Sequence, residues 1–310
     1  MLASFLIGLR EGLEAALVVG ILAAYLTRSG RRDVLPRLIL GVVFGVLLAL
    51  VLGAIMTYGA YTLSFQGQEI LGGCMSLLAV GMVTWMIFWM QKTSKNLKKQ
   101  LEGEAERALV SGSLWSIVVI GFVSVSREGV ETTLLIWSYV QSFGSAPRAL
   151  IGTVLGIVAA VVIGWLLQRG MVHIDLRVFF TWTGALLIMV AAGVLAYAIH
   201  DLQEANVLPG PWSASATIDQ VTGTVGTGAA GFPFGWAFDA TNVVHPAGWL
   251  ASLLQATIGF MPQMTWLQVI AWAIYLAIVI PIFSRKALGA ARAAQASRTL
   301  PITATAEGRP

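Results

Sequence analysis

Charge is what this chain has least of. Lysine, arginine, aspartate and glutamate make up 11% of its 310 residues, while 57% are hydrophobic. A soluble domain carries about 25% charged residues, so an ordinary globular protein is excluded and a polytopic membrane protein is indicated. Cysteine is almost missing as well. Cys74 alone can build neither an intrachain disulfide nor a thiolate metal cluster, and its apolar, glycine-rich neighbourhood assigns it to packing. Copper and haem centres need constellations of His, Cys or Met that the chain lacks, and no nucleophile–base pair or cofactor motif is present. Neither an enzyme nor a permanently bound cofactor is expected.

What the chain does have is long apolar runs. A helix needs roughly 20 residues to cross about 30 Å of hydrocarbon, and runs of that length fall near 3–27, 36–58, 69–90, 113–140, 147–168, 177–199 and 264–283. Seven membrane spans follow. The first is expected to stay in the mature protein, because no basic residue precedes Arg10 and the charges lie inside the apolar stretch, unlike a cleaved signal peptide.

Sixteen of the 19 basic residues fall in alternate connections and the C-terminal tail, among them Arg28, Arg31, Arg32, Lys92, Lys95, Lys98 and Lys99. By the positive-inside rule the N-terminus lies outside and the C-terminus in the cytoplasm. The net charge of +4 thus reports cytoplasmic anchoring and not a nucleic-acid surface.

The few charges inside spans are repeated. Arg10, Glu11, Gly12 and Glu14 in the first span match Arg127, Glu128, Gly129 and Glu131 in the fourth, as R-E-G-x-E at an offset of 117. The second spans also match, "PRLILGVVFGV" from Pro36 answering "PRALIGTVLGI" from Pro147 at an offset of 111, and Gly73 and Val83 meet Gly184 and Val194 at that same offset. Spans 1–3 and 4–6 read as a duplicated three-helix unit. Because each unit has three spans, the second runs in the opposite sense, which makes an inverted-topology repeat with its site near the midplane.

At 3.6 residues per turn, two acids three positions apart lie about 60° apart on one helix face. Glu11 with Glu14 and Glu128 with Glu131 would therefore converge from two antiparallel helices, with Gly12 and Gly129 allowing close approach. Four charged acids in lipid would cost on the order of 10 kcal/mol at about 2.5 kcal/mol each. Counting Arg10 and Arg127, the cluster keeps a formal charge of −2, which a di- or trivalent cation would complement. Oxygen ligands favour hard cations and leave magnesium, calcium, manganese and iron open. Two other readings of the motifs remain at this point: structural Arg–Glu pairs in a non-transporting scaffold, and a proton relay.

These residues resemble the oxidase-dependent iron permeases, the family of the fungal high-affinity iron permeases and the bacterial ferrous iron permeases. The paired R-E-G-x-E motifs carry the likeness, helped by "HDLQEANVLP" at 200–209, where Asp201 replaces a Glu, and by the stretch leading through the last span. The resemblance implies iron as transported substrate, a place in the bacterial inner membrane, Glu11, Glu14, Glu128 and Glu131 as the residues that bind and pass it, and Arg10 and Arg127 in support. It also implies an oxidase or iron-handling partner at the outer face. A permease of this architecture for another cation, such as manganese or lead, is the alternative.

The resulting organisation is an all-α integral membrane protein. A first three-helix repeat occupies 1–90, a basic cytoplasmic loop 91–112, and the inverted repeat 113–199. An outer connection over 200–263 follows, with an interfacial or re-entrant helix at 248–260, then a seventh span at 264–283 and a disordered basic tail at 284–310. The outer connection holds His200, Asp201, Glu204, Asp239 and His245 but no Lys or Arg, an acidic vestibule suited to gathering cations. Its Gly-rich stretch at 221–238 is expected to fold back on the outer ends of the spans. Trp85 and Trp89 read as interfacial anchors, and Met82, Met86 and Met90 as packing residues.

Overall fold

The computed structural model describes residues 2–60, 62–93, 101–103, 105–107, 114–143, 146–169, 176–244, 251, 254 and 259–298. Among them are seven long helices: α1 (Leu2–Arg28), α2 (Leu35–Ala60), α3 (Phe65–Thr93), α4 (Leu114–Phe143), α5 (Ala146–Gln168), α6 (Leu176–Glu204) and α7 (Trp266–Arg298). Five of these, α2, α3, α5, α6 and α7, are long and apolar enough to cross a membrane. The other two, α1 and α4, are 27 and 30 residues long and carry the charged motifs near their middles.

Helix is the form such apolar stretches take where no water can satisfy the backbone. Pro36 and Pro147 sit in the first turns of α2 and α5, where a missing N–H costs nothing. Leu50, Ile55 and Tyr58 on α2 and Leu150, Val154 and Val161 on α5 face outward and are more than half exposed. So continuous an apolar exterior marks a membrane-facing surface.

Packing follows a simple scheme. α1 lies along α5, α2 along α4 and α3 along α6, while α1 and α4 meet at the centre. Exchanging α1–α3 with α4–α6 returns the same pairs. The close approaches obey the exchange too: Gly45 faces Val125 and Ser126, and Gly156 faces Gly8 and Leu9, residues related by the offsets of 111 and 117 seen in the sequence. α7 stands outside this scheme, against α6 and α3, and its Tyr275 hydroxyl lies 2.8 Å from the Thr84 hydroxyl of α3.

Helix ends are fixed by local backbone chemistry. After α1, Gly30 takes a left-handed conformation while Arg31 N–H donates to the Leu26 carbonyl and Gly30 N–H to that of Thr27, a Schellman cap. Asn206 does the same after α6, with Val207 N–H donating to Leu202 and Asn206 N–H to Gln203. The cap stops α6 just past His200, Asp201 and Glu204, so all three remain on helix.

The structure corrects several expectations. The fold is mostly helix, as expected, with one small addition: β1 (Trp236–Asp239) pairs antiparallel with β2 (Gln263–Thr265) in a cap over the helix ends, because a Gly-rich segment too broken for helix can still pair its backbone. The stretch at 221–238 does fold back, with Phe238 packing beside Met261 and Met264 against Ala196 and Tyr197, and the Trp266 indole donates to the Gly228 carbonyl at 2.8 Å.

The basic loop at 91–112 is partly helix, and Leu101 and Ala105 are buried against Leu22, Leu26, Leu38 and Ile117. α7 runs through 284–298, where disorder was expected, since Ala-rich sequence continues it past Pro281. Cys74 is exposed on α3 and is not a packing residue. The helix expected at 248–260 falls mostly outside the described residues.

Candidate metal centre

Both R-E-G-x-E motifs lie where α1 and α4 meet. One carboxylate oxygen each from Glu11, Glu128 and Glu131 lies within 4.8 Å of the others, and all three side chains are buried. Helical spacing explains the trio: Glu128 and Glu131 share a face of α4, and Glu11 enters from α1, while Gly12 and Gly129, expected to let α1 and α4 approach, face α5 and α2 instead. Glu14 is buried as well but does not belong to the trio, so three of the four motif acids converge and the fourth stands beside them.

Among the described residues, Glu11 Oε2 and Glu128 Oε2 have no hydrogen-bond partner. Buried polar atoms are rarely left so, and an unpaired buried carboxylate is costly. Three carboxylates gathered with open oxygens form a ligand set for a hard cation.

The arginines differ. Arg10 is 1% exposed; its Nη1 donates to Glu11 Oε1 at 3.4 Å and its Nη2 lies 3.4 Å from Glu14 Oε1. Arg127 donates from Nε to Glu131 Oε1 at 3.2 Å, but its side chain is 36% exposed. Its guanidinium lies 4.3 Å above the Trp89 ring and 5.9 Å from that of Trp85. The two tryptophans therefore do more than anchor α3. Met86 is buried, as expected of packing, and Met82 lines a small cavity beside Glu131.

A second polar group sits at the far end of α6. His200 Nε2 lies 3.4 Å from Glu204 Oε1, and its ring meets Trp212 of the cap edge-on at 5.0 Å. Asp201 is 3% exposed, its Oδ1 without a hydrogen-bond partner among the described residues, and a Cβ on Gly72 of α3 would come within 3.0 Å of its Oδ2. Glu69, one turn before Gly72, is within electrostatic reach of Glu204 and Asp201. The sequence reading missed it: it opens an otherwise apolar helix, and its only signal is a lone acid near a span end.

Asp239 is not part of this group. It is exposed and accepts hydrogen bonds from Thr241 N–H at 3.0 Å, Thr241 Oγ1 at 2.6 Å and Gln263 Nε2 at 3.3 Å, and the two from Thr241 hold its carboxyl below the usual carboxylate range. His245 lies outside the described residues. Gln203 was also missed. Fully buried, it accepts from Thr265 Oγ1 at 2.9 Å and donates to the Pro209 carbonyl at 2.7 Å, tying α6 to the cap and to the start of α7.

Residues 1–219 match the family model described as the Iron permease FTR1 family. The chain is 34% identical over 303 residues to the ferrous iron permease EfeU of Escherichia coli O6:H1, covering 97% of this chain and all of that protein. It is likewise 34% identical over 287 residues to the protein of the same name from Yersinia pestis, covering 91% and 93% of the two. No solved structure matches it.

Proposed function

Because this chain belongs to the Iron permease FTR1 family, we propose that its cargo is ferrous iron and that Glu11, Glu128 and Glu131 hold the ion midway across a bacterial inner membrane. Ferrous iron is the ion in the names of its relatives. The observation that carries the site is the trio itself: three buried carboxylates from two helices with oxygens within 4.8 Å. Formally charged acids at membrane depth cost about 2.5–3.5 kcal/mol each and mark ion pathways. Glu14 completes the site from one turn away.

The architecture we propose is seven spans, two inverted three-helix repeats and a seventh helix. The exchange-invariant packing supports it, because a helix set that maps onto itself when its halves are swapped is what a pseudo-two-fold axis through the α1–α4 contact produces. The distribution of basic residues puts the N-terminus outside and the C-terminus in the cytoplasm. The cap and the His200, Asp201, Glu204 and Glu69 group then face outward, where their acids gather cations for delivery to the trio. An oxidising or iron-handling partner would meet the protein at this same face.

In the empty protein Arg10 and Arg127 neutralise part of the acid charge. An arriving divalent cation takes over that role, and its two charges match the −2 left on four acids and two arginines. Release to the cytoplasmic side follows when Glu131 is handed back to Arg127.

The test is uptake into proteoliposomes of the purified protein, offering ferrous iron, ferric iron, manganese and zinc in parallel, with a Glu14→Ala/Glu131→Ala double variant. Ferrous iron uptake that the variant loses is the expected result. Equal uptake by the variant would end the proposal, and manganese uptake in preference to iron would reassign the cargo.

A further inference from the structure

The two halves are alike in their acids and unlike in what faces their arginines. The offset of 111 that relates α3 to α6 pairs Trp85 with Ala196 and Trp89 with His200. The structure keeps that correspondence, since Gly73 packs against Ala198 and Gly184 against Ile87, again 111 apart. So Arg127 has two indoles beside it, their rings 6.1 Å apart and stacked at 21°. At the equivalent place in the other half stand a methyl group and a histidine already engaged with Glu204.

This difference decides which arginine can move. Arg10 is enclosed, its Nε lacks a hydrogen-bond partner among the described residues, and both of its carboxylates sit within its own motif; leaving them would strand a bare guanidinium. Arg127 already divides itself between Glu131 and the face of Trp89. It can give up the carboxylate and remain over the ring, because a guanidinium is weakly hydrated and stacks on aromatic faces. A cation seated against Glu131 repels the guanidinium and favours that withdrawal.

We propose that Trp89, backed by Trp85, is a platform onto which Arg127 withdraws when the cation takes Glu131, making Arg127 the moving gate of the site and Arg10 its fixed counterpart. The gate lies at the end that the charge distribution assigns to the cytoplasm. The inference rests on the function proposed above and adds a direction to it. Acids line the approach on one side and an aromatic shelf holds the arginine aside on the other, so the cycle releases its ion past Arg127. Trp89 is a positioning residue in this scheme, since it acts through the arginine.

The experiment compares wild type with Trp89→Phe and Trp89→Leu in two measurements: equilibrium binding of ferrous iron, and its rate of uptake into proteoliposomes. Trp89→Leu is expected to bind iron within about twofold of wild type while its uptake slows by roughly tenfold, the size of a partly desolvated cation–π contact. Trp89→Phe keeps a ring face and should stay within about threefold. Arg127→Lys, which leaves α3 untouched, should slow uptake in the same way with binding retained, because an ammonium stacks poorly. Should Trp89→Leu fail to fold, this variant carries the test alone.

Wild-type uptake by Trp89→Leu or by Arg127→Lys would overturn the inference, as would equal slowing by Phe and Leu. Each would leave the acid site in place. If the wild-type protein takes up no iron at all, the functional reading itself fails and the gate falls with it.

Discussion

Gly12 lies so close to Ala160 that a Cβ built on it would stand 2.8 Å from the alanine's own, and Gly129 meets Ala49 at the same 2.8 Å. These are the glycines of the two R-E-G-x-E motifs, so the residue next to Glu11 and the residue next to Glu128 are each pressed against a helix of the other half. Any side chain there must push α1 off α5 or α4 off α2, and the acids travel with their helices. Gly12→Val and Gly129→Val should each destabilise the protein by about 1–3 kcal/mol through overpacking and cut iron uptake by at least tenfold. Gly81→Ala, on α3 with nothing near its Cβ direction, is the control and should leave both unchanged. Thermal melting with uptake measures the pair, and a fully active Gly12→Val would contradict the packing argument.

The arginines make a sharper stability prediction. Replacing Arg10 by Met strands Glu11 and Glu14 without their shared partner in a buried site, where losing one member of an ion pair costs about 3–5 kcal/mol. Arg127 is a third exposed and its pair is screened accordingly, so Arg127→Met should cost about 1 kcal/mol or less. Melting midpoints of the two variants in the same lipid or detergent decide this. Equal losses would mean that the burial of Arg10 has no energetic weight.

If the trio is the binding site, iron must stabilise the folded protein through it. Ligand at 100 times its dissociation constant adds about 2.7 kcal/mol, which shows as a rise in melting temperature on adding ferrous iron. Glu11→Gln, Glu128→Gln and Glu131→Gln should each abolish the rise. Glu14→Gln should keep most of it, because Glu14 faces Arg10 and lies outside the group of three. A pattern in which Glu14→Gln behaves like the other three would restore a site of four equal acids.

The acid pairs, their spacing and the offsets linking the halves were open to sequence reading because charges inside apolar helices are rare and helical geometry is regular. What the sequence hid was set by distant partners. Nothing local to Arg127 foretells its stacking on Trp89, since the two belong to helices 38 residues apart in the chain. Gln203 looked like one more polar residue at a helix end until Thr265, 62 positions later, turned out to donate to it. The cap was illegible for a related reason: its segments are too short and too rich in glycine to show a period, and its two strands meet only because β2 is delivered by the start of α7. Glu14 and Glu11 look equal in sequence because both lie on one helix face, and both pair with Arg10 at 3.4 Å; what separates them is that Glu11 is the one grouped with Glu128 and Glu131 within 4.8 Å.

The acids at the far end of α6 and in the cap also separate, and the next prediction turns on Asp201 and Asp239. Asp201 is buried with a free oxygen beside α3, whereas both oxygens of Asp239 are taken up within the cap. Asp201→Asn should therefore weaken uptake at limiting iron by about tenfold while leaving the maximal rate within about twofold, the mark of a group that raises local cation concentration. Asp239→Asn should leave uptake unchanged at every iron concentration.

Asp239 should show itself through pH instead. A carboxylate held below its unfolded value of about 3.9 adds stability above that pH and loses it as the pH falls through the lower, folded value. The cap should thus stay closed at neutral pH and loosen only below about pH 4. Thr241→Val removes the hydroxyl donor and with it part of that stability, so exchange in the cap should quicken at neutral pH and converge on wild type as the pH falls below the folded value. Hydrogen exchange across residues 236–244, followed as a function of pH, reads it directly. A difference between the valine variant and wild type that persists undiminished below the folded value would mean that Thr241 supports the cap by packing and not through the Asp239 charge.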